Sequence, residues 1–205
     1  MDFIEVNGTA LRYELRGSGS HTVVLLHEMG GTLESWDLVV PQLAAGSRVL
    51  RYDTRGAGLS EKIRGSLSID TLVADLMALL DALKIGDRVV LVGMAVGGAI
   101  ALAGAARHPE RVAAVVASSP ATGIAAIYRM LVGLDLDSEL ARISCPVLLI
   151  AGALDATRPP AVVEAIAGTI TNARYLLLPT GHYAAIQTPE ILTTAVLEFM
   201  ACSVT

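Results

Sequence analysis

Residues 91–102 read LVGMAVGGAIAL, an apolar run in which glycines stand two positions before and two positions after one alanine. An aliphatic segment followed by Gly-x-x-x-Gly and an alanine-rich segment predicts a strand, a sharp turn and a helix, with Ala95 at the apex. A turn of this kind presents its apical side chain to a ligand, and a serine there would be a nucleophile. Ala95 carries only a methyl group, so the nucleophile position holds a residue that cannot attack a substrate.

Two polar residues further along the chain complete the set that could do chemistry. Asp155 lies in GALDATRPP and His182 lies in PTGHYAAIQTP, each shortly after an apolar segment. A carboxylate that hydrogen-bonds to an imidazole fixes the tautomer of the ring and stabilises its cation. An aspartate and a histidine at these positions could therefore do acid–base chemistry if the fold brings them together. Of the four histidines, only His182 combines a position after a strand with a candidate acid upstream.

A sheet must bring these residues together, and the chain alternates between strand and helix patterns. Strands are predicted at 9–15, 22–26, 48–52, 88–92, 111–117, 146–150 and 173–177, and helices at 33–43, 69–83, 96–107, 160–167 and 189–200. Several strands are apolar on both faces, which predicts an α/β fold with a mostly parallel twisted sheet and helices on both faces. Ligands of such sheets bind beyond the carboxyl ends of the strands. The segments that follow the strands are 27–31, 53–58, 93–97, 118–120, 152–155 and 181–182.

The length and composition predict one domain over residues 1–205, because 205 residues of which 53% are hydrophobic can bury one sizeable core. The 18 residues between Arg88 and Arg107 are uncharged, and Gly93 and Gly97 form a GxxxG pair within them. This run divides better into a strand and a helix than into a membrane helix. We therefore expect no membrane insertion.

The charge pattern excludes some partners. The net charge is −5, only 17% of residues are charged and no basic cluster is present, which argues against nucleic acid or an anionic membrane as a partner. Cys145 and Cys202 do not form a metal-ligand pattern and are interpreted as free thiols of a reducing compartment. The first residues, MDFIEVNG, lack a secretory signal, so a cytoplasmic location is expected. The predicted partner is a small-molecule substrate, with no cofactor and no metal, and a homodimer is left open.

Six segments, in chain order, resemble those of the α/β-hydrolase family: LLHEMGG, YDTRGAGLS, LVGMAVGGAIAL, RHPERVAAVV, CPVLLIAGALD and PTGHYAAIQTPE. The resemblance covers essentially the whole chain and is greatest to esterase-like and lactonase-like members, including enol-lactonase and aminoacrylate-hydrolase-like proteins. It implies a cofactor-free hydrolase of a small carboxylic ester, lactone or amide-like bond.

The same resemblance implies roles for individual residues. His182 and Asp155 would be the base and acid of a catalytic triad, and the backbone N–H groups of Met29 and Val96 would form the oxyanion hole. Backbone donors suit that task because they are already oriented when charge develops. Glu28, Met94 and Tyr183 are the further residues expected to line the substrate pocket.

Ala95 departs from the family pattern and closes the acyl-enzyme route. Three interpretations remain. The first is a deliberate Ser→Ala substitution in an otherwise intact site, which we favour because Asp155, His182 and the glycines are all present. The second is a natural enzyme without the serine, in which His182 activates water or serves as the base of a lyase or isomerase. The third is a non-catalytic protein that keeps the pocket to bind a ligand.

Two other departures concern the loops. Glu28 stands where many relatives carry glycine, and we expect it to be a solvated loop carboxylate, with a role in substrate charge or proton transfer as the alternative. Residues 118–145 are short for the family and are interpreted as the remnant of a lid. The segment is either a natural minimal lid or two chain ends joined across a missing lid. We favour the latter, with the join in ATGIAAIY at 121–128.

Overall fold

A computed structural model describes residues 2–63, 67–121, 131–132 and 136–204 of the chain. The strands are β1 (Asp2–Val6), β2 (Thr9–Arg16), β3 (Thr22–Leu26), β4 (Arg48–Tyr52), β5 (Leu67–Ser68), β6 (Val89–Met94), β7 (Val112–Ser118), β8 (Leu131–Val132), β9 (Val147–Gly152) and β10 (Ala173–Leu178). The helices are α1 (Val40–Ala44), α2 (Ile69–Ala82), α3 (Val96–Arg107), α4 (Asp137–Leu140), α5 (Pro160–Thr169), α6 (Ala184–Gln187) and α7 (Pro189–Ser203), with a 3-10 turn at Leu33–Trp36.

Eight strands form one sheet in the order β1-β2-β4-β3-β6-β7-β9-β10. The pairs β1–β2 and β2–β4 are antiparallel, and every other pair in this sheet is parallel. The predicted α/β fold with a mostly parallel sheet is therefore confirmed. The short strands β5 and β8 pair with each other in a separate parallel ladder.

The core lies on both faces of the sheet because successive strand side chains point to opposite sides. In β3, Val24 and Leu26 pack in one apolar cluster with α2 and α3, and Val23 and Leu25 pack in the other with α1 and α7. Trp36 is fully buried in the second cluster.

The predicted elements agree with the structure in the buried strands and differ at the edge and the first helix. Strand β1 was not predicted, since four of its five residues are not buried and its apolar pattern is weak. The single helix expected at 33–43 is wrong. The segment forms a 3-10 turn and then the short helix α1, which begins with Pro41 in its first turn. Proline lacks an N–H to continue a preceding helix but is accommodated in the first turn of a new one.

The uncharged run at 89–106 divides between β6 and α3, as expected. Within the described parts of the chain, no helix has both the length and the apolar character needed to cross a membrane. Of the expected lid remnant at 118–145, the residues at 122–130 and 133–135 lie outside the described residues. The expected join at 121–128 lies outside them too, except for its first residue.

Candidate active site

Ala95 lies at the tight turn between β6 and α3 and has φ +49° and ψ −111°. This backbone conformation is strained for any residue with a Cβ. The turn is held by two backbone hydrogen bonds, from Ala95 N–H to Ser118 O (3.0 Å) and from Ala121 N–H to Ala95 O (3.0 Å). The chain thus keeps the geometry that would expose a nucleophile, although the residue there is alanine.

The two flanking glycines permit this turn because both sit against backbone atoms. A Cβ on Gly93 would lie 2.2 Å from Gly97 O, and a Cβ on Gly97 would lie 2.1 Å from Leu26 O at the end of β3. Real Cβ atoms do not approach carbonyl oxygens so closely. The glycines therefore let the start of α3 pack directly on the neighbouring strand end.

We expect Gly97→Ala to lower the free energy of unfolding by about 3 kcal/mol or more, because overpacking against a fixed backbone cannot be relieved by a side-chain rotation. Gly168→Ala is a matched control, since Gly168 lies in α5 with no atom within 4 Å of the added Cβ. In that open helical position alanine is expected to stabilise by about 0.5–1 kcal/mol. Urea unfolding of both variants tests the contrast. A Gly97→Ala protein as stable as its parent would contradict it.

Asp155 and His182 are brought together at the carboxyl edge of the sheet. His182 Nδ1 lies 2.8 Å from Asp155 Oδ2. The other carboxylate oxygen, Oδ1, accepts the N–H groups of Thr157 and Arg158, both at 2.8 Å. The Asp155 side chain is fully buried, and 12% of the His182 side chain is exposed. Burial acts to raise the pKa of Asp155, but hydrogen bonds to the carboxylate outweigh it and place this pKa below its ordinary value.

Ser119 is a further member of this network that the sequence reasoning did not single out. Its hydroxyl donates to Asp155 Oδ2 at 2.7 Å, and the residue is fully buried with φ +46°. It directly follows Ser118, whose carbonyl holds the Ala95 turn. Ser119 therefore links the turn to the Asp155–His182 pair. Its position just beyond β7, in one of the segments expected to carry site residues, was the available signal.

The two predicted oxyanion donors lie on neighbouring segments. Val96 is the first residue of α3, and Met29 lies in the loop after β3, against which Gly97 packs. Within the described parts of the chain, neither the Val96 N–H nor the Met29 N–H has a hydrogen-bond acceptor. Free N–H groups at a helix start are suited to bind an anion or a developing oxyanion.

His27 supports the loop that carries Met29. Its Nε2 accepts the Thr54 N–H (3.0 Å), so the ring proton lies on Nδ1 and is donated to Glu28 O (2.7 Å). The residue is 2% exposed, and burial lowers the pKa of His27 below its ordinary value. The neutral ring is the form that fits both hydrogen bonds.

Because folding favours neutral His27, we expect the folded protein to lose stability as the pH falls below about 6.5, the ordinary histidine pKa. Between the unfolded-state and folded-state pKa values the unfolded chain binds the extra proton. The loss is then at most about 1.4 kcal/mol per pH unit. Urea midpoints of the parent and His27→Gln between pH 7.5 and pH 5 measure this. The variant should show a shallower slope. Equal slopes would count against the assignment.

Two cavities lie beside the loop that follows β3. The first, of about 400 Å³, is lined by residues 27–32, 54–58, Ile63, Leu67, Leu72, Val96 and Ile100. The second, of about 410 Å³, is lined by Glu28, Gly30, Gly31, Thr32, Glu34, Ser35, Leu38, Ala185 and Ile186. The first cavity therefore adjoins both candidate oxyanion donors. Ala95, Asp155 and His182 border neither cavity within the described part of the chain. No group of three or more potential metal-ligating side chains occurs among the described residues.

The structure places the three predicted pocket residues in different environments. Met94 is fully buried, lies in the core cluster on the α1 and α7 face and lines neither cavity. The reason is the strand alternation, which places it on the same face as Val90 and Val92. Tyr183 is 43% exposed and its ring is roughly perpendicular to that of His182, with centroids 5.0 Å apart, but it also lines neither cavity. Glu28 lines both.

The expectation that Glu28 is a solvated loop carboxylate is also wrong. The residue is only 6% exposed. Its Oε1 accepts the Ser35 hydroxyl at 2.9 Å, and the carboxylate lies over Gly31, where a Cβ would come within 2.3 Å of it. The glycine-rich loop after His27 folds the Glu28 side chain inward. The general tendency of glutamate to be exposed gives no information about this local fold.

A mostly parallel sheet with helices on both faces, a strained strand–turn–helix and an aspartate–histidine pair beyond the strand ends are together typical of α/β hydrolases. A family profile for the α/β hydrolase fold matches residues 21–133, more than half of the sequence. The chain belongs to the α/β-hydrolase family.

Individual relatives cover the chain to different extents. It is 41% identical over 112 residues to the dihydrolipoyllysine-residue acetyltransferase component of the acetoin cleaving system of Pseudomonas putida, which covers 54% of this chain and 30% of that protein. It is 38% identical over 117 residues to the 2-hydroxymuconate semialdehyde hydrolase of Pseudomonas sp. strain CF600, which covers 55% and 41%. These matches span less than half the length of the two relatives.

Similarity to solved structures extends over nearly all of the chain. The crystal structure of the enol-lactonase from Burkholderia xenovorans superposes with a TM-score of 0.89 at 28% sequence identity, covering 98% of this chain and 100% of that one.

Proposed function

We propose that this protein binds a small ester, lactone or amide-like compound in a hydrolase site whose nucleophile position holds Ala95. The observation that carries the proposal is the 2.8 Å contact between His182 Nδ1 and Asp155, linked through Ser119 to the strained turn at Ala95. The names of a semialdehyde hydrolase and an enol-lactonase among similar proteins support hydrolysis as the class of reaction.

With serine at position 95, the groups described above would suffice for acyl transfer. His182 would remove the hydroxyl proton as the serine oxygen attacks the substrate carbonyl. The negative charge on the carbonyl oxygen would be stabilised by the Val96 and Met29 N–H groups. The imidazolium would then protonate the leaving group, and water would release the acyl group by the same steps. With alanine at position 95 no acyl-enzyme can form.

A second candidate function follows from the orientation of the imidazole. Asp155 holds Nδ1, and Nε2 of His182 has no hydrogen-bond partner among the described residues. A neutral ring with Nδ1–H has a basic Nε2, which supports direct activation of water against a reactive carbonyl compound. In this case alanine would be the residue that the active enzyme naturally carries at position 95, and the reaction would form no covalent intermediate.

Covalent labelling tests the first candidate. The Ala95→Ser protein is expected to react with a fluorophosphonate and gain the mass of one phosphonyl group, because these reagents capture an activated serine. The parent chain, which has no hydroxyl at this position, is the control for labelling elsewhere. The Ala95→Ser/His182→Ala double variant should lose the labelling. A folded Ala95→Ser protein that stays unlabelled would overturn the proposal.

A further inference from the structure

Glu28 is a buried carboxylate that is only half satisfied by the protein. Its Oε1 accepts the Ser35 hydroxyl at 2.9 Å. Its Oε2 is inaccessible to solvent and has no hydrogen-bond partner among the described residues. Burying a carboxylate oxygen without a donor is costly, so the arrangement needs a reason beyond bracing the loop. Support of the loop requires only the hydrogen bond between Oε1 and Ser35.

The described residues that line the two cavities with Glu28 supply no free positive charge to compensate it. Among the described residues that line the first cavity, the one other charged side chain is Arg55. That guanidinium is already paired, with both of its contacts to the Asp75 carboxylate at 2.7 Å. In the second cavity the other charged residue is Glu34, whose carboxylate is bound by Arg12 and Thr32. Among the described residues, Oε2 of Glu28 thus has neither a donor nor a free cation beside it, and the residue lies between the two cavities.

The loop is shaped to hold the carboxylate in this place. A side chain on Gly31 would collide with Oε1, Cδ and Oε2 of Glu28, at 2.3 to 2.8 Å from its Cβ. The backbone of Glu28 is fixed as well, because its carbonyl accepts both the His27 ring at 2.7 Å and the Gly31 N–H at 3.1 Å. The carboxylate is therefore held in position beside Met29, the next residue and a candidate oxyanion donor.

We propose that Glu28 recognises a cationic hydrogen-bond donor, a primary ammonium group, on the acyl portion of the substrate. This inference rests on the proposed function and narrows its substrate class to small amino-substituted carbonyl compounds. An ammonium group would supply both the missing donor and the missing positive charge. It would also offset the repulsion between the Glu28 carboxylate and an oxyanion that forms nearby, whereas an anionic acyl group would add to it.

Binding to the parent chain tests this without requiring turnover. The probes are the ethyl esters of glycine, β-alanine and 4-aminobutyric acid, each compared with the ester in which methyl replaces ammonium, by amide chemical-shift titration. A hydrogen bond between charged groups is expected to favour one amino ester roughly ten- to hundredfold over its neutral counterpart. Glu28→Gln should abolish the preference. Glu198→Gln, which removes one exposed charge on α7, should keep it.

Ser35→Ala separates ligand recognition from support of the loop, because it removes the hydrogen bond to Oε1 and keeps the Glu28 carboxylate itself. It should retain the preference for the amino ester. It is also the second variant if Glu28→Gln fails to fold. Absence of any amine preference in the parent, or its survival in folded Glu28→Gln, overturns the inference.

The proposed function fails independently. An Ala95→Ser protein that hydrolyses neutral and amino esters equally well would support the hydrolase assignment and overturn the role of Glu28. An inactive Ala95→Ser protein that still binds the amino ester through Glu28 would support recognition and overturn the proposed hydrolysis.

Discussion

The Ala95→Ser variant is expected to hydrolyse p-nitrophenyl acetate at least about a thousandfold faster than the parent chain. Loss of a triad nucleophile costs a factor of about 10⁶ in turnover where it has been measured, and restoring it to an intact site should recover much of that. The gain is set below the full factor because p-nitrophenyl acetate makes little use of the cavity walls. Initial rates at pH 8 with matched protein concentrations measure it.

The site is already arranged to accept the hydroxyl. Ala95 occupies the strained conformation with φ +49° that the turn imposes, so serine adds one oxygen without a new backbone cost. The residue is buried, with 8% of its surface exposed, but it belongs to neither apolar core cluster. Thermal unfolding of Ala95→Ser is expected to stay close to that of the parent.

Ala95→Gly is the matched control for the turn itself. Glycine adopts positive φ without strain and supplies no hydroxyl. It should therefore be at least as stable as the parent and equally inactive. Were Ala95→Ser folded but no faster than Ala95→Gly, the hydrolase proposal would be wrong. Turnover by the parent chain that disappears in His182→Ala would instead support direct water activation.

The parts of the fold that the sequence predicted are those governed by local patterns. The buried parallel strands appear as aliphatic runs, and Gly93 and Gly97 mark the turn because no other residue fits against Gly97 O and Leu26 O. Asp155 and His182 lie together because each follows a strand whose carboxyl end meets the others at one edge. Their hydrogen bond is a consequence of sheet order, which brings β9 and β10 side by side.

The features that local patterns did not indicate depend on side-chain direction and long-range pairing. Met94 continues the alternation of Val90 and Val92, and counting that alternation through Gly93 would have placed it in the core. Asp75, a charged residue of α2, is 1% exposed because Arg55 and Asn7 reach it from distant segments. Local periodicity carries no information about such partners. The burial of Glu28 likewise depends on contacts that its local sequence does not indicate.

Asp155→Asn, made in the Ala95→Ser protein, is expected to lower kcat by about 10⁴. The hydrogen bonds around the side chain explain why. Two backbone N–H groups, from Thr157 and Arg158, point at Oδ1, so the amide oxygen of asparagine must take that position. The amide NH₂ then replaces Oδ2 and donates to His182 Nδ1. The ring proton is forced onto Nε2, and the imidazole can no longer accept a proton from the serine.

Ser119→Ala in the same background separates this tautomer effect from a general loosening of the site. It removes the hydroxyl that donates to Oδ2 and leaves the carboxylate and its contact with His182 intact. One such hydrogen bond is worth about 1 kcal/mol, so kcat should fall less than about tenfold. Its loss should also raise the pKa of Asp155, because the Ser119 hydrogen bond is one of those that lower it. Similar losses of kcat in Asp155→Asn and Ser119→Ala would mean that packing around the carboxylate controls activity. The assignment of Asp155 as the residue that sets the tautomer of His182 would then be wrong.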